Sequence, residues 1–193
     1  MIASILSLDR RRVNVARLAD PYAIHKIVYD LFPGNQRDFL YFDRGMDREG
    51  KRILILSSRQ PLVPVSGDIK SKFVPETFLN HRQYAFQVLL NPVYRQAGNK
   101  SFIPVTSRDD LRLWFLRKQN DWGFMVDGDT LDIFDTGVIE IRKNGIVVPF
   151  NKAQFRGILT VTDSDRFKTV FTSGIGRGKS FGFGLLQLHP ISD

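Results

Sequence analysis

An α+β fold made of two tandem βαββαβ units is what this sequence predicts, and three observations lead there. Short apolar strand patterns in the first third flank one amphipathic helix. The second half repeats that rhythm with two more helices. The 193-residue chain, 42% hydrophobic, suits one domain or two small ones packed together. We expect the division at residues 1–85 and 86–193, with no repeat visible at residue level.

The elements follow in order. Ile2 to Leu8 reads as a buried strand. Asp20-Pro21 starts a helix, with an N-cap acceptor and proline at the first helical position. Ile24, Ile27, Val28 and Leu31 form its buried stripe, and Pro33-Gly34 stops it after Phe32. Asp38 to Asp43 and Arg52 to Ser57 read as strands joined by a polar turn containing Gly45 and Gly50. Gln60 to Pro75 carries three prolines and reads as irregular. Tyr84 to Leu90 is a strand pattern. Ser107 caps a second helix to Gln119, with Leu111, Trp114, Phe115 and Lys118 at helical spacing. Val138 to Arg142 and Ile146 to Phe150 flank Lys143-Asn144-Gly145, a hairpin signal. Gly157 to Val161 reads as a further strand, and Asp163 caps a third helix through Phe171.

Charge bounds the partner. The 28 Lys+Arg against 20 Asp+Glu give +8, which favours a polyanion, most often nucleic acid. Cysteine is absent, which excludes disulfides, zinc ribbons and thiol nucleophiles. Three histidines make a multi-histidine metal site a poor expectation. Asp127, Asp129, Asp132 and Asp135 lack the spacing of a calcium loop and read as a solvated acidic loop. No metal or cofactor is expected. The apolar start, Met1 to Leu8, is short, and Arg10, Arg11 and Arg12 follow it, the reverse of a signal peptide. No run approaches the ~20 apolar residues of a membrane span. The expectation is a soluble, cytoplasmic protein without a membrane partner.

Two constellations carry chemistry. On the first helix Tyr22, His25 and Tyr29 fall together, roughly 100–160° from the core stripe. Histidine can act as general acid or base near neutral pH, and a tyrosine one turn away can orient it. Read alone, the same face also fits an amphipathic boundary without chemistry. His81 reads as a loop residue and His189 as surface.

The second constellation is glycine-rich: Gly174, Gly176, Arg177, Gly178, Lys179, Ser180, Gly182 and Gly184. Five glycines in eleven residues, with two cations and a hydroxyl, suit a phosphate or a phosphate backbone. It is not a Walker A loop, because the position five before Gly178 is Ser173. It is not a Rossmann fingerprint, because Lys179 stands where the third glycine belongs. A nucleotide cofactor is therefore not expected. A plain helix–strand connector explains one or two of these glycines and leaves the rest without a role.

Tyr22-Ala-Ile-His25-Lys-Ile-Val-Tyr-Asp-Leu-Phe-Pro33, with Arg37-Asp38-Phe39-Leu40 after it, resembles the first helix of the CasE family. These are the CRISPR RNA-processing endoribonucleases of the type I-E Cascade complex. Gln154-Phe155-Arg156-Gly157-Ile158-Leu159-Thr160-Val161 and the segment from Gly174 to Leu186 are similar to that family's C-terminal signature. The departure at Arg177-Gly178 makes the loop more basic. The motifs that carry the likeness lie outside about residues 60–135.

The resemblance implies two ferredoxin-like domains of the repeat-associated RNA-binding type. It implies metal-independent cleavage of the CRISPR repeat transcript at the base of its hairpin, with other Cascade subunits as partners. The family's catalytic histidine falls on His25 and its accompanying tyrosine on Tyr22. The 2′-OH of RNA then attacks the phosphate, leaving a 2′,3′-cyclic phosphate and a 5′-hydroxyl. Arg142 and Lys143 at the hairpin turn are candidate groove contacts, or an ordinary solvated turn. The alternative reading is a non-catalytic RNA-binding subunit in which His25 is structural; a third is a basic scaffold that touches RNA non-specifically.

Overall fold

The structure, a computed structural model, describes residues 1–9, 19–34, 36–96, 98, 102–143 and 145–191; of Lys143 it describes the backbone only. Arg10, Arg11, Arg12 and Asn144 therefore lie outside the described residues.

The first unit comprises β1 (Ile2–Asp9), α1 (Pro21–Asp30), β2 (Phe39–Met46), β3 (Gly50–Ser57) and β4 (Asp68–Phe73). Its sheet runs β2-β3-β1-β4, all antiparallel, which is the ferredoxin-like order. Register places Leu6 opposite Ile53, both fully buried. Those residues, with Leu8, Phe39, Tyr41 and Ile55, form the face that α1 covers through Ile24, Val28 and Leu31. Burying each such side chain stabilises by about 1.5–3 kcal/mol. Residues 58–67, between β3 and β4, form no helix, so no second helix follows β3 where a βαββαβ unit would place one.

The second unit comprises β5 (Gln83–Leu90), β6 (Val93–Arg95), β7 (Phe102–Pro104), α2 (Arg108–Lys118), β8 (Phe124–Val126), β9 (Asp132–Lys143), β10 (Ile146–Val161), α3 (Ser164–Ser173) and β11 (Gln187–Pro190). The sheet runs β11-β5-β10, with β9 and β8 both on the far edge of β10, again the ferredoxin-like order. Tyr84, Phe86, Phe115, Phe124, Phe155 and Phe167 fill its core. The expected division after residue 85 falls inside β5, a strand of this sheet.

Three expectations change. The Gln60–Pro75 segment is not wholly irregular: Asp68–Phe73 pairs with β1 as an edge strand. Its face is mostly exposed and polar, so it lacks an apolar period. The strands expected at Ile146–Phe150 and Gly157–Val161 are one 16-residue strand, β10, with a register shift between Lys152 and Gln154. Asp132 and Asp135 belong to β9 rather than to an acidic loop. Asp132 pairs with Arg108 and Arg156, and Asp135 with Lys152. The three-residue strands β6, β7 and β8 were too short to leave a periodic signal.

The two sheets share a third core. Leu40 and Phe42 of β2 and Leu56 of β3 pack with Leu89, Phe171, Phe183 and Leu185. β2 is thus buried on both faces, Phe39 and Tyr41 toward α1 and Leu40 and Phe42 toward the second unit. The C-terminal glycine-rich segment lies in this seam, and that brings it to α1.

Candidate active site

α1 begins as its sequence dictates. The Asp20 carboxylate accepts from the Tyr22 backbone N–H at 2.9 Å, and Pro21 opens the first turn. With Ile24 and Val28 inward, His25 and Tyr22 emerge half-buried on the flank. The rings of Tyr22 and His25 stack with centroids 5.6 Å apart and planes 12° apart. Tyr29 lies 4.1 Å from His25 on the other side, centroid to centroid. The Lys26 ammonium sits 4.8 Å above the Tyr22 ring.

The glycine-rich segment closes over this flank. After α3 it turns back, makes a short 3₁₀ turn at Lys179–Phe181 and re-enters the core at Phe183. Gly174, Gly182 and Gly184 are buried; Gly176 and Arg177 are exposed. Two short bonds clasp the loop: Ile175 N–H to the Gly184 carbonyl at 2.9 Å, and Gly184 N–H to the Leu89 carbonyl at 2.8 Å. Gly182 has φ 85°, and a Cβ there would meet the Tyr41 ring at 3.1 Å. Only glycine meets both demands without strain.

The loop delivers Ser180 to His25. His25 Nδ1 lies 2.7 Å from the Ser180 backbone carbonyl oxygen. A carbonyl oxygen has no proton to give, so Nδ1 is the donor. In the neutral ring this leaves Nε2 with its lone pair free; in the imidazolium Nε2 carries a proton to give. The Tyr41 hydroxyl donates to the same oxygen at 2.9 Å. Burial first, then Tyr29 and Asp43, push the Tyr41 pKa upward, so it remains a neutral donor. Phe181 adds a ring 5.1 Å from His25. Arg37 Nη1 donates to the Ser180 hydroxyl at 3.0 Å. Lys179 donates to the Ser173 carbonyl at 2.8 Å. Burial, then the nearby Arg37, lower the Lys179 pKa.

The structure therefore brings together His25, Tyr22, Lys179 and Ser180. Arg177 lies apart on the loop's outer side, its guanidinium 3.9 Å from the Phe102 ring centroid. Arg142 sits near the exposed tip of the β9–β10 hairpin, paired with Glu140 at 2.7 Å. Tyr41, Phe181 and Arg37 are the site neighbours that residue-by-residue reading did not single out. Tyr41 looked like any member of an apolar strand, and its partner lies 139 residues away.

Two ferredoxin-like units, joined by a seam that seats an oriented histidine beside cations, define the class: a paired ferredoxin-like protein with a candidate acid–base site. The chain belongs to the family described as CRISPR associated protein, whose profile matches residues 1–190. It is similar to the CRISPR system Cascade subunit CasE of Escherichia coli strain K12, 25% identical over 198 residues, covering 93% of this chain and 98% of that one. It is similar too to the CRISPR-associated endoribonuclease Cse3 of Thermus thermophilus, 23% identical over 193 residues, covering 90% and 92%. Among solved structures, CRISPR endoribonuclease Cse3 bound to a 19 nt RNA matches with TM-score 0.84 and 21% identity over 98% of this chain and 100% of that one. Cas6e from E. coli K-12 matches with TM-score 0.70 and 23% identity over 99% and 100%.

Proposed function

We propose that this chain is an endoribonuclease that cuts CRISPR repeat transcripts at the base of the repeat hairpin, without a metal, to give mature CRISPR RNA. The observation that carries the reading is the His25 Nδ1 contact to the Ser180 carbonyl at 2.7 Å, which leaves Nε2 as the reacting nitrogen. RNA supplies its own nucleophile. The 2′-oxygen forms a bond to the adjacent phosphorus, the bond from phosphorus to the 5′-oxygen breaks, and a 2′,3′-cyclic phosphate and a 5′-hydroxyl result. Neutral His25 would take the 2′-OH proton on Nε2; as imidazolium it would give a proton to the leaving 5′-oxygen. Tyr22 and Tyr29 hold the ring between them. Lys179 and Arg37 supply positive charge beside the site, and Arg177, Arg142 and Lys143 are further cations for the RNA phosphates.

Glycines 174, 176, 178, 182 and 184 serve RNA binding by holding the loop that carries these groups. The likeness to a Cascade subunit supports other Cascade proteins as partners. No helix among the described residues is long and apolar enough to cross a membrane, and we place the activity in the cytoplasm. We put the domain boundary in residues 74–82, between β4 and β5.

The test is incubation of pure protein with end-labelled repeat RNA in EDTA. A single cut at the stem base, ending in a cyclic phosphate, is expected. Tight binding without a cut means a non-catalytic subunit, and dependence on added magnesium means another enzyme class.

A further inference from the structure

We propose that the cavity between α2, the β6–β7 pair and the glycine-rich loop binds an unpaired nucleotide of the RNA flanking the stem. The inference rests on the RNA-cleavage reading above and names where the single-stranded part of that substrate goes. The cavity holds about 1020 Å³, room for a nucleotide with its phosphate. Its wall joins the site already described, because Gly176 and Arg177 line it and Ser180 lies three residues beyond.

The lining has the chemistry of a single-strand site: exposed rings beside cations. Tyr94 is half exposed and has no ring partner among the described residues. The Trp114 indole is fixed by a bond from Nε1 to the Val93 carbonyl at 3.1 Å, with the Lys118 ammonium 5.7 Å from its ring. Phe102 carries two guanidinium groups, Arg177 at 3.9 Å and Arg95 at 4.9 Å. Arg95, Arg117, Lys118 and Arg177 outnumber Asp110 and Asp121 around the rim.

A separate observation points to a ligand. Asn91 lines the cavity at 8% exposure, and its Oδ1 has no hydrogen-bond partner among the described residues. A buried acceptor left unpaired is costly; Oδ1 is sealed from the cavity in this structure, so the Asn91 amide turns toward it to accept from an N–H of a nucleobase. Stacking rings, a buried orphan acceptor and surrounding cations match the three parts of a nucleotide: base face, base edge and phosphate.

The experiment compares three RNAs, each with a 2′-deoxy residue at the cut site: a blunt repeat hairpin, and the hairpin with unpaired nucleotides on its 5′ or its 3′ side. Wild type is expected to bind one flanked RNA more tightly than the blunt one, and that arm identifies the side. Tyr94→Ala and Asn91→Ala should lower affinity for that RNA alone, Tyr94→Ala by roughly 5- to 100-fold. 2-Aminopurine in the flank should be quenched on binding wild type and not on binding Tyr94→Ala. Melting temperatures show whether Asn91→Ala is folded; Tyr94 is exposed enough to test the site alone. Equal wild-type affinity for blunt and flanked RNA, or equal loss on both RNAs in Tyr94→Ala, overturns the proposal. The cleavage reading fails separately, if wild type leaves the unmodified hairpin uncut.

Discussion

His25 draws its chemical definition from an oxygen 155 residues away in sequence, the Ser180 carbonyl. Tyr41 shares that oxygen, so it is a positioning residue. Tyr41→Phe removes one donor and lets the carbonyl and ring shift. We expect single-turnover cleavage to fall about tenfold, roughly the rate equivalent of one hydrogen bond, with RNA affinity unchanged. A wild-type rate would remove Tyr41 from the site. Lys179 is tested by salt. Lys179→Ala should weaken RNA binding and lower the salt slope by up to about one unit if it meets a phosphate. Burial and Arg37 lower its pKa, so the deprotonated form gains at a lower pH than in a surface lysine. Its share of affinity should fade as pH rises toward the ordinary lysine range, and salt slopes at neutral and alkaline pH measure this. The histidine–tyrosine face was legible because helical periodicity is local. The bonds to Ser180 were not, because nothing in either segment records their pairing.

At the scale of elements, the glycine-rich loop is both a structural joint and the arm that holds Ser180. Gly182→Val would press against Tyr41 and oppose φ 85°. We expect a lowered melting temperature and a cleavage loss larger than the loss of affinity, read by calorimetry and single-turnover assays. A variant with wild-type melting and cleavage would contradict the joint. Helices α1, α2 and α3 were legible because each has a cap acceptor: Asp20, Ser107 and Asp163 all accept from backbone N–H groups two or three residues on. β4 was not, because an edge strand of Asp, Lys and Ser is chosen by its neighbour β1 rather than by its own pattern. The continuity of β10 was hidden by the polar residues Asn151 and Lys152, just before the register shifts between Lys152 and Gln154.

For the whole molecule, the shared seam decides how the two units behave. Leu40, Phe42 and Leu56 of the first sheet are buried against Phe171, Phe183 and Leu185 of the second unit. Separating the units would expose those side chains, so we expect one cooperative thermal transition by calorimetry, and two resolved transitions would contradict it. The same seam positions the site, since the loop from one unit and the helix from the other meet only when both are folded. The central claim is that His25, oriented by this loop, moves the proton in RNA cleavage. It is tested most directly by single-turnover cleavage and filter binding of repeat RNA by His25→Ala. The account predicts a rate lower by about 10²- to 10⁴-fold with affinity nearly intact. Cleavage close to wild type would contradict it.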